Sequence, residues 1–357
     1  MNVVEDIISK KKWIVSTQVK DRLMSMIRQF NKDQTEEGYL FYDIEQFSSY
    51  FVTYVYKIIY RKEKESVSYY VKLAALSDGF ETRQRERIKY EYDYTVKVAN
   101  IFKEFDQFSS VLPIAYFEDE AAFIMEEMSG ERLDTMIVSS MKIFPRKPPQ
   151  KLYQSMFNAG KWLKLFQDNM PFEGDNLYTK INLKKRIDVR LDKVEDESPN
   201  VISVALANKI RDKSNFLIDN FRTSDLEKTA KHNDFAPWNL MGTPDGMTGF
   251  DFADCEFDSK FYDVSHFMRA VNSFKLKPIK NVRIIDKCKE CFLEGYGLDL
   301  EDSVSLQHYF NLFFSLERVQ MLLRQKNRHA GLVGLLRTFF IERHIRWYLK
   351  EIIDLTK

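Results

Sequence analysis

Two apolar runs around a charged tip most constrain what this chain can fold into. Tyr50-Phe-Val-Thr-Tyr-Val-Tyr-Lys-Ile-Ile-Tyr60 is rich in β-branched and aromatic residues, the tip Arg61-Lys-Glu-Lys-Glu-Ser66 follows, and Val67-Ser-Tyr-Tyr-Val-Lys-Leu-Ala74 completes the pair. Such residues fit a pleated, half-buried surface, so the segment predicts a β-hairpin. Val111–Phe117 and Ala121–Met128 predict a second strand pair turning at Glu118-Asp119-Glu120, with the charged helix Thr82–Phe105 between the two pairs. After Gly130 the apolar spacing changes to the helical period, in Leu152–Asn169, Asn200–Asn220, Leu306–Leu323 and Leu332–Ile353. The fold class expected is α+β. A helical segment 1–37 precedes a small antiparallel β region 40–127 that carries one key helix, and a larger, mainly helical part runs over 128–357. Residues 231–252 interrupt that part with a polar loop between short strands, the kind of loop that carries function on a rigid scaffold.

Glycine narrows the reading. The chain has only 12 glycines in 357 residues, and none lies between Gly38 and Gly79. Neither G-x-G-x-x-G nor G-x-x-x-x-G-K-[ST] occurs, which excludes the fingerprints of dinucleotide-binding and Walker-type folds.

Charge and cysteine usage exclude other classes. With 54 Lys+Arg against 53 Asp+Glu, the chain lacks the basic excess of a nucleic-acid binder. No apolar stretch of about 18 residues occurs to span a bilayer, and the N-terminus MNVVEDIISKKKW is no secretory signal. Cys255, Cys288 and Cys291 form no disulfide framework. Cys288-Lys-Glu-Cys291 lacks the second pair a structural zinc needs and reads as two thiols on neighbouring turns of a helix. A cytoplasmic protein is expected.

The informative stretch is His232-Asn-Asp-Phe-Ala-Pro-Trp-Asn239, followed by Gly249-Phe-Asp251-Phe. Phosphoryl transfer from ATP needs a carboxylate near the attacking hydroxyl, oxygen ligands for Mg²⁺ and a cation on the phosphates. Asp234 can accept a hydroxyl proton, and Asn239 and Asp251 can offer hard oxygen ligands. Singly these are ordinary turn residues; the spacing is what gives them weight. Trp238 reads as packing under the loop and His266 as a packed or capping histidine.

The pattern H-x-D-x-x-x-x-N followed by a hydrophobic-Asp turn resembles the aminoglycoside phosphotransferase and choline kinase superfamily, which shares the protein-kinase-like fold. The resemblance implies a bilobal arrangement, ATP and Mg²⁺ as cofactors, Asp234 as catalytic base, and Asn239 and Asp251 as metal ligands. His232 and Asp263 would support the loop. Lys72, in Tyr70-Val-Lys72-Leu-Ala, resembles the strand lysine that grips the phosphates, with Glu91 as its ion-pair partner and Glu86 as competitor. Phe123-Ile-Met-Glu-Glu-Met-Ser-Gly130 resembles the hinge, about 126–130, where backbone groups near Glu127 and Met128 would read adenine. The phosphate-covering turn is expected at Gln46-Phe-Ser48-Ser49-Tyr50, with Ser48 and Ser49 at the phosphates. The chain departs from the family pattern in four ways: Asn233 where glycine is usual, Ala253 where a second acid often follows, Asp258 near a common glycine, and the glycine-free phosphate turn.

The expected partner is a small-molecule hydroxyl acceptor bound by residues 150–230 and by those after 270. Residues 273–357 carry 15 Lys+Arg against 10 Asp+Glu, which does not suit a polycation. A sugar or sugar-containing metabolite is therefore preferred over an aminoglycoside, with choline or amino-alcohols as the alternative. A pseudokinase used as a binding module is the alternative of another class. Protein phosphorylation is disfavoured, because Phe-Ala rather than Phe-Gly follows Asp251 and no Ala-Pro-Glu occurs.

Overall fold

The computed structural model describes residues 3–9, 11, 16–49, 52–142, 149–171, 178–243, 245–277, 281–298, 304–327 and 332–357. Met1–Glu131 with Met241–Asp254 form one compact unit, and Arg132–Leu240 with Cys255–Lys357 form a second.

The first unit opens with helices α1 (Val3–Ser9) and α2 (Thr17–Glu36). Strands β1 (Leu40–Ser49), β2 (Thr53–Lys62) and β3 (Glu65–Ala74) follow, then helix α3 (Glu81–Phe102). Strands β4 (Phe108–Ser110), β5 (Pro113–Phe117), β6 (Ala122–Glu126) and β7 (Glu131–Arg132) complete its N-terminal part. A five-stranded antiparallel sheet has the order β1-β2-β3-β6-β5. Tyr56, Ile58 and Tyr60 of β2 alternate into the core, the period of a half-buried strand. Val19, Leu23, Met26, Ile27 and Phe30 of α2 recur at helical spacing and pack on them. Ser16 caps α2 by accepting the Val19 N–H at 3.4 Å, and Arg22 reaches from the helix to the Ala74 carbonyl at the end of β3 at 3.0 Å. The terminal helices therefore close one face of the sheet and brace the strand that carries Lys72.

Over 46–49 the structure has strand where the residue pattern expects a turn. Gln46, Ser48 and Ser49 lie in β1, paired with Tyr56, Val55 and Tyr54, with a register shift at Phe47. Tyr50, the last residue of that expected turn, lies outside the described residues, as does residue 51. The hairpin tip is also tighter than expected. Lys62 pairs with Glu65, leaving a two-residue loop with Glu63 at φ 52°. Such loops need left-handed backbone, which glycine usually supplies. Here a glutamate supplies it.

In the second unit, helices α4 (Leu133–Ser140), α5 (Pro149–Asn169), α6 (Lys180–Glu197) and α7 (Val204–Asp219) precede strand β8 (Lys228–Lys231) and a short turn of helix, Pro237–Asn239. Strands β9 (Leu240–Gly242) and β10 (Met247–Gly249) pair with β7 and β4 in a four-stranded sheet ordered β4-β10-β9-β7, which groups 241–254 with the first unit. Strand β11 (Glu256–Ser259) then pairs with β8. Helices α8 (Phe261–Ser273), α9 (Arg283–Tyr296), α10 (Val304–Asn327) and α11 (Leu332–Leu355) complete the chain. A few glycines are spent on close approaches. A Cβ on Gly160 would meet the Phe292 carbonyl oxygen at 2.1 Å, and one on Gly295 the Phe157 carbonyl oxygen at 1.9 Å, so α5 and α9 cross where neither has a side chain. Cys288 and Cys291 are buried on α9 and form no disulfide, and burial pushes the Cys288 thiol up to about 12. Among the described residues, no helix is long and apolar enough to cross a membrane.

Candidate active site

In the first unit the site begins with an ion cluster. Lys72 lies in β3 and Glu91 on the buried stripe of α3, which runs Ile88, Glu91, Thr95, Val98, Phe102. That stripe decides the partner: Glu86 is exposed, whereas Glu91 is 3% exposed and meets Lys72 Nζ at 2.5 Å. Lys72 also meets Asp251 Oδ1 at 2.7 Å. Burial disfavours the ammonium, but Glu91 and Asp251 outweigh it and raise the Lys72 pKa above the ordinary lysine value. Burial, with Asp251 as a second negative neighbour, pushes Glu91 up to about 7 against the pull of Lys72. Asp251 has φ 70°, a conformation uncommon outside glycine and concentrated at functional sites. Arg87 on α3 pairs with Asp254 at 2.8 Å and ties down the turn that follows Asp251.

In the second unit the loop after β8 is held by hydrogen bonds. Asp263, fully buried in the first turn of α8, accepts the backbone N–H of His232 at 2.7 Å and of Asn233 at 3.0 Å. Burial pushes Asp263 up to about 7, against those two donors. Asn233 sits at φ 72°, which explains its place in the motif: asparagine is the side chain that best tolerates a backbone glycine would otherwise take. The His232 ring is buried among Trp162, Phe166 and Phe235. His266 is buried too, with Nδ1 3.2 Å from the Phe235 carbonyl oxygen, and burial lowers it to about 3, so it braces the loop as a neutral ring. Asn239 Nδ2 donates to both the carbonyl oxygen and Oδ2 of Asp234, each at 2.9 Å.

The structure revises two of the sequence expectations nearby. Trp238 is not buried under the loop. It is 36% exposed, and its Nε1–H donates to Asp234 Oδ2 at 3.3 Å. Asp258 is more than a glycine replacement. It takes two hydrogen bonds from Arg186 of α6, at 3.1 and 2.9 Å, while Lys231 reaches it at 3.3 Å and Glu256 at 3.0 Å. Burial opposes the Asp258 charge, but Arg186 and Lys231 overcome it and hold its pKa below the ordinary carboxylate value. This network pins the β8–β11 ribbon directly before the loop. No local pattern reveals it, since its members are drawn from three elements. Of the expected hinge groups, the Glu127 N–H donates to the Ser68 carbonyl oxygen at 3.3 Å and its carboxylate pairs with Lys57 at 2.5 Å. Met128 follows in the irregular stretch after β6 and is half-buried. Gly130 needs its glycine, with φ 119° and the Gly242 carbonyl oxygen 2.5 Å from where a Cβ would stand.

No family model and no curated protein sequence matches the chain. Solved structures do. Aminoglycoside phosphotransferase APH(4)-Ia, in a ternary complex with ADP and hygromycin B, aligns at TM-score 0.56 and 12% identity over 91% of this chain and 97% of that one. The fold is that of the aminoglycoside phosphotransferases and choline kinases. Ethanolamine kinase of Plasmodium vivax aligns at TM-score 0.53 and 15% identity over 97% and 92% of the two chains. Choline kinase of Cryptosporidium parvum Iowa II aligns at 0.52 and 14% over 94% and 96%. This phosphotransferase-like fold has the antiparallel N-terminal sheet and mainly helical remainder read from the residue pattern.

The donor set can be tested against Mg²⁺. Among the described residues, no group of three or more His, Cys, Asp or Glu is gathered to hold a metal. Mg²⁺ does not need one, because it takes one or two protein oxygens and completes its shell with phosphates and water. Asn239, its amide nitrogen committed to Asp234, has a carbonyl oxygen to offer, and Asp251 a carboxylate. Each of the two, taken within its own unit, carries the kind of hard oxygen that ion takes.

Proposed function

We propose that this protein is an ATP- and Mg²⁺-dependent phosphotransferase acting on a hydroxyl of a small molecule, with Asp234 as the base. The observation that carries the reading is the double ion pair of Lys72 with Glu91 and Asp251, a cation fixed by one carboxylate and balanced by another. In the reaction, the acceptor oxygen attacks the γ-phosphorus. A new O–P bond forms as the bond to the β–γ bridging oxygen breaks, and its electron pair leaves with ADP. Asp234 takes the hydroxyl proton, and Asn239 orients it through the amide contact. Lys72 exchanges Asp251 for the nucleotide phosphates, while Glu91 keeps the ammonium in place. Asn239 and Asp251 are the residues that would hold Mg²⁺, which would supply charge neutralisation for the transfer. The setting proposed is the cytoplasm, where ATP is abundant and thiols stay reduced.

The preferred acceptor is a sugar or sugar-containing metabolite, because the positive excess over 273–357 is ill suited to a polycation. An amino-alcohol such as choline is the second reading, favoured by the fold shared with an ethanolamine kinase and a choline kinase. The test is ADP release with Mg·ATP across sugars, nucleosides, amino-alcohols and aminoglycosides, with Asp234→Ala as control. Turnover is expected in the wild type and lost in the variant, with Mg·ATP still raising the melting temperature of both. Wild-type turnover in Asp234→Ala would remove the base assignment. A wild type that shows neither turnover nor a Mg·ATP shift would favour a binding module.

A further inference from the structure

We infer that Trp238 positions the base Asp234 through its indole N–H and receives the acceptor on its exposed ring; this rests on the reading of Asp234 as the base. Trp238 sits in the turn Pro237–Asn239, where proline pre-sets the backbone and the Asn239 N–H closes onto the Ala236 carbonyl oxygen at 2.9 Å. Its neighbours are all buried: Phe235, Ala236 and Pro237 before it, Asn239 after it. Trp238 is the exposed exception. A tryptophan kept for packing would resemble Trp162, which is fully buried under the same loop. Leaving 36% of this residue exposed forgoes part of its burial, the main stabilising use of so large an apolar side chain.

The hydrogen bonds give the ring a second task. Trp238 Nε1 and Asn239 Nδ2 both donate to Oδ2 of Asp234, at 3.3 and 2.9 Å. Two donors on one oxygen fix the carboxylate about its side-chain torsions, a positional gain of the kind that proton transfer in a bound complex requires. The same contact anchors the ring edge beside the carboxylate, so its apolar faces border the place where a hydroxyl must come to reach Asp234. An aromatic face accepts the C–H face of a sugar ring or the onium head of an amino-alcohol. The acceptor class is therefore a hydroxyl carried next to such a group, and a small unsubstituted alcohol falls outside it.

The experiment uses the full chain with Mg·ATP and a panel of glucose, ribose, uridine, choline, ethanolamine, kanamycin and ethanol, in wild type, Trp238→Phe and Trp238→Leu. Trp238→Phe keeps a ring and loses the donor; kcat should fall about tenfold with acceptor KM within about twofold. Trp238→Leu loses both; kcat should fall as far, and acceptor KM should rise by at least about fivefold. ATP KM should hold in both, and the best acceptor should change the tryptophan fluorescence of wild type but not of Trp238→Phe. Which panel members turn over separates sugars from onium alcohols. Ethanol turning over as well as the best of them would overturn the acceptor class. Both variants matching an active wild type would overturn this inference and leave the kinase reading standing. A wild type inactive on every acceptor and unmoved by Mg·ATP would overturn that reading and this inference with it.

Discussion

The cluster around Lys72 and the cluster around Asp234 are held in opposite ways. At Lys72, charge holds charge: one ammonium lies between two carboxylates, and burial alone would discharge both Lys72 and Glu91. At Asp234, neutral N–H groups hold carboxylates: amide and indole donors on Asp234, two backbone donors on Asp263. The difference matches the work proposed for each. A charge cluster can exchange one anion for another, as a lysine that meets arriving phosphates must. A hydrogen-bonded loop keeps one geometry, as a base must. Loss of a charge partner should therefore be repairable in stability but not in activity, whereas loss of a loop tie should damage both together.

The largest effect is expected at Lys72. Lys72→Met leaves two acids without their cation; kcat/KM for ATP should fall by about 10²–10³-fold, as for other lost electrostatic contacts to a transition state. Breaking a buried pair costs about 3–5 kcal/mol when one partner is left charged. Lys72→Met combined with Glu91→Leu should recover most of that stability in urea unfolding while activity stays lost. Activity returning with stability would break the contrast drawn above.

Asp263→Ala comes next. It orphans the N–H groups of His232 and Asn233, at about 1–3 kcal/mol for each buried donor. The loosened loop should lose about 10–100-fold in kcat with Mg·ATP binding retained. Asp263 also predicts a pH signature. Its folded pKa of about 7 stands above the ordinary 3.8, so the folded state binds more protons than the unfolded state between those values. This contribution to stability is full below 3.8 and is lost as pH rises through about 7. Wild type should show that falling limb in urea unfolding midpoints, and Asp263→Ala should flatten it.

How far these clusters could be read from sequence depends on how local their causes are. The loop was legible because its residues lie within eight positions of one another and each has a distinct chemical use. Glu91 was separable from Glu86 because only Glu91 shares the helical stripe of Ile88, Thr95 and Val98. Strand β1 was harder to see: Asp43, Glu45 and Gln46 break up its apolar residues, and two register shifts spoil its alternation. Helix α6 is hard to read in the residue pattern because its stripe of Leu183, Ile187, Leu191 and Val194 is one residue wide in a charged surface. The Arg186–Asp258–Lys231 network was invisible, because nothing in the sequence brings α6 to the β8–β11 ribbon. Trp238 departs from the usual burial of tryptophan because exposure is decided by the turn around it.

A smaller effect, confined to stability, is expected where neither cluster is touched. Gly160→Ala places a Cβ against the Phe292 carbonyl oxygen and the Tyr296 nitrogen, and the overpacked crossing of α5 and α9 should cost about 1–3 kcal/mol with kcat unchanged. Gly297→Ala has open space but φ 74°, so strain alone should cost about 1–2 kcal/mol. Comparable losses in kcat would mean the loop is less independent of its scaffold than its hydrogen bonds imply.

The smallest effect belongs to Ser48 and Ser49, and it bears on the proposed nucleotide site, since strands β1 to β3 carry no glycine. Five non-glycine residues, Glu63, Ala121, Asn200, Asn233 and Asp251, adopt positive φ among the described residues, so this chain accepts local strain where glycine would remove it. In β1, Ser48 and Ser49 pair with β2 through backbone groups that alanine also has. Ser48→Ala with Ser49→Ala should therefore leave the fold intact and weaken Mg·ATP by only about two- to fivefold. Calorimetric titration of both proteins with Mg·ATP reads this directly. A loss above about tenfold would make the strand end a phosphate clamp in its own right, equal to one charged hydrogen bond. No loss would leave the phosphates to Lys72 and the metal, and the contrast between a charge-held and a hydrogen-bonded cluster would then extend to the nucleotide itself.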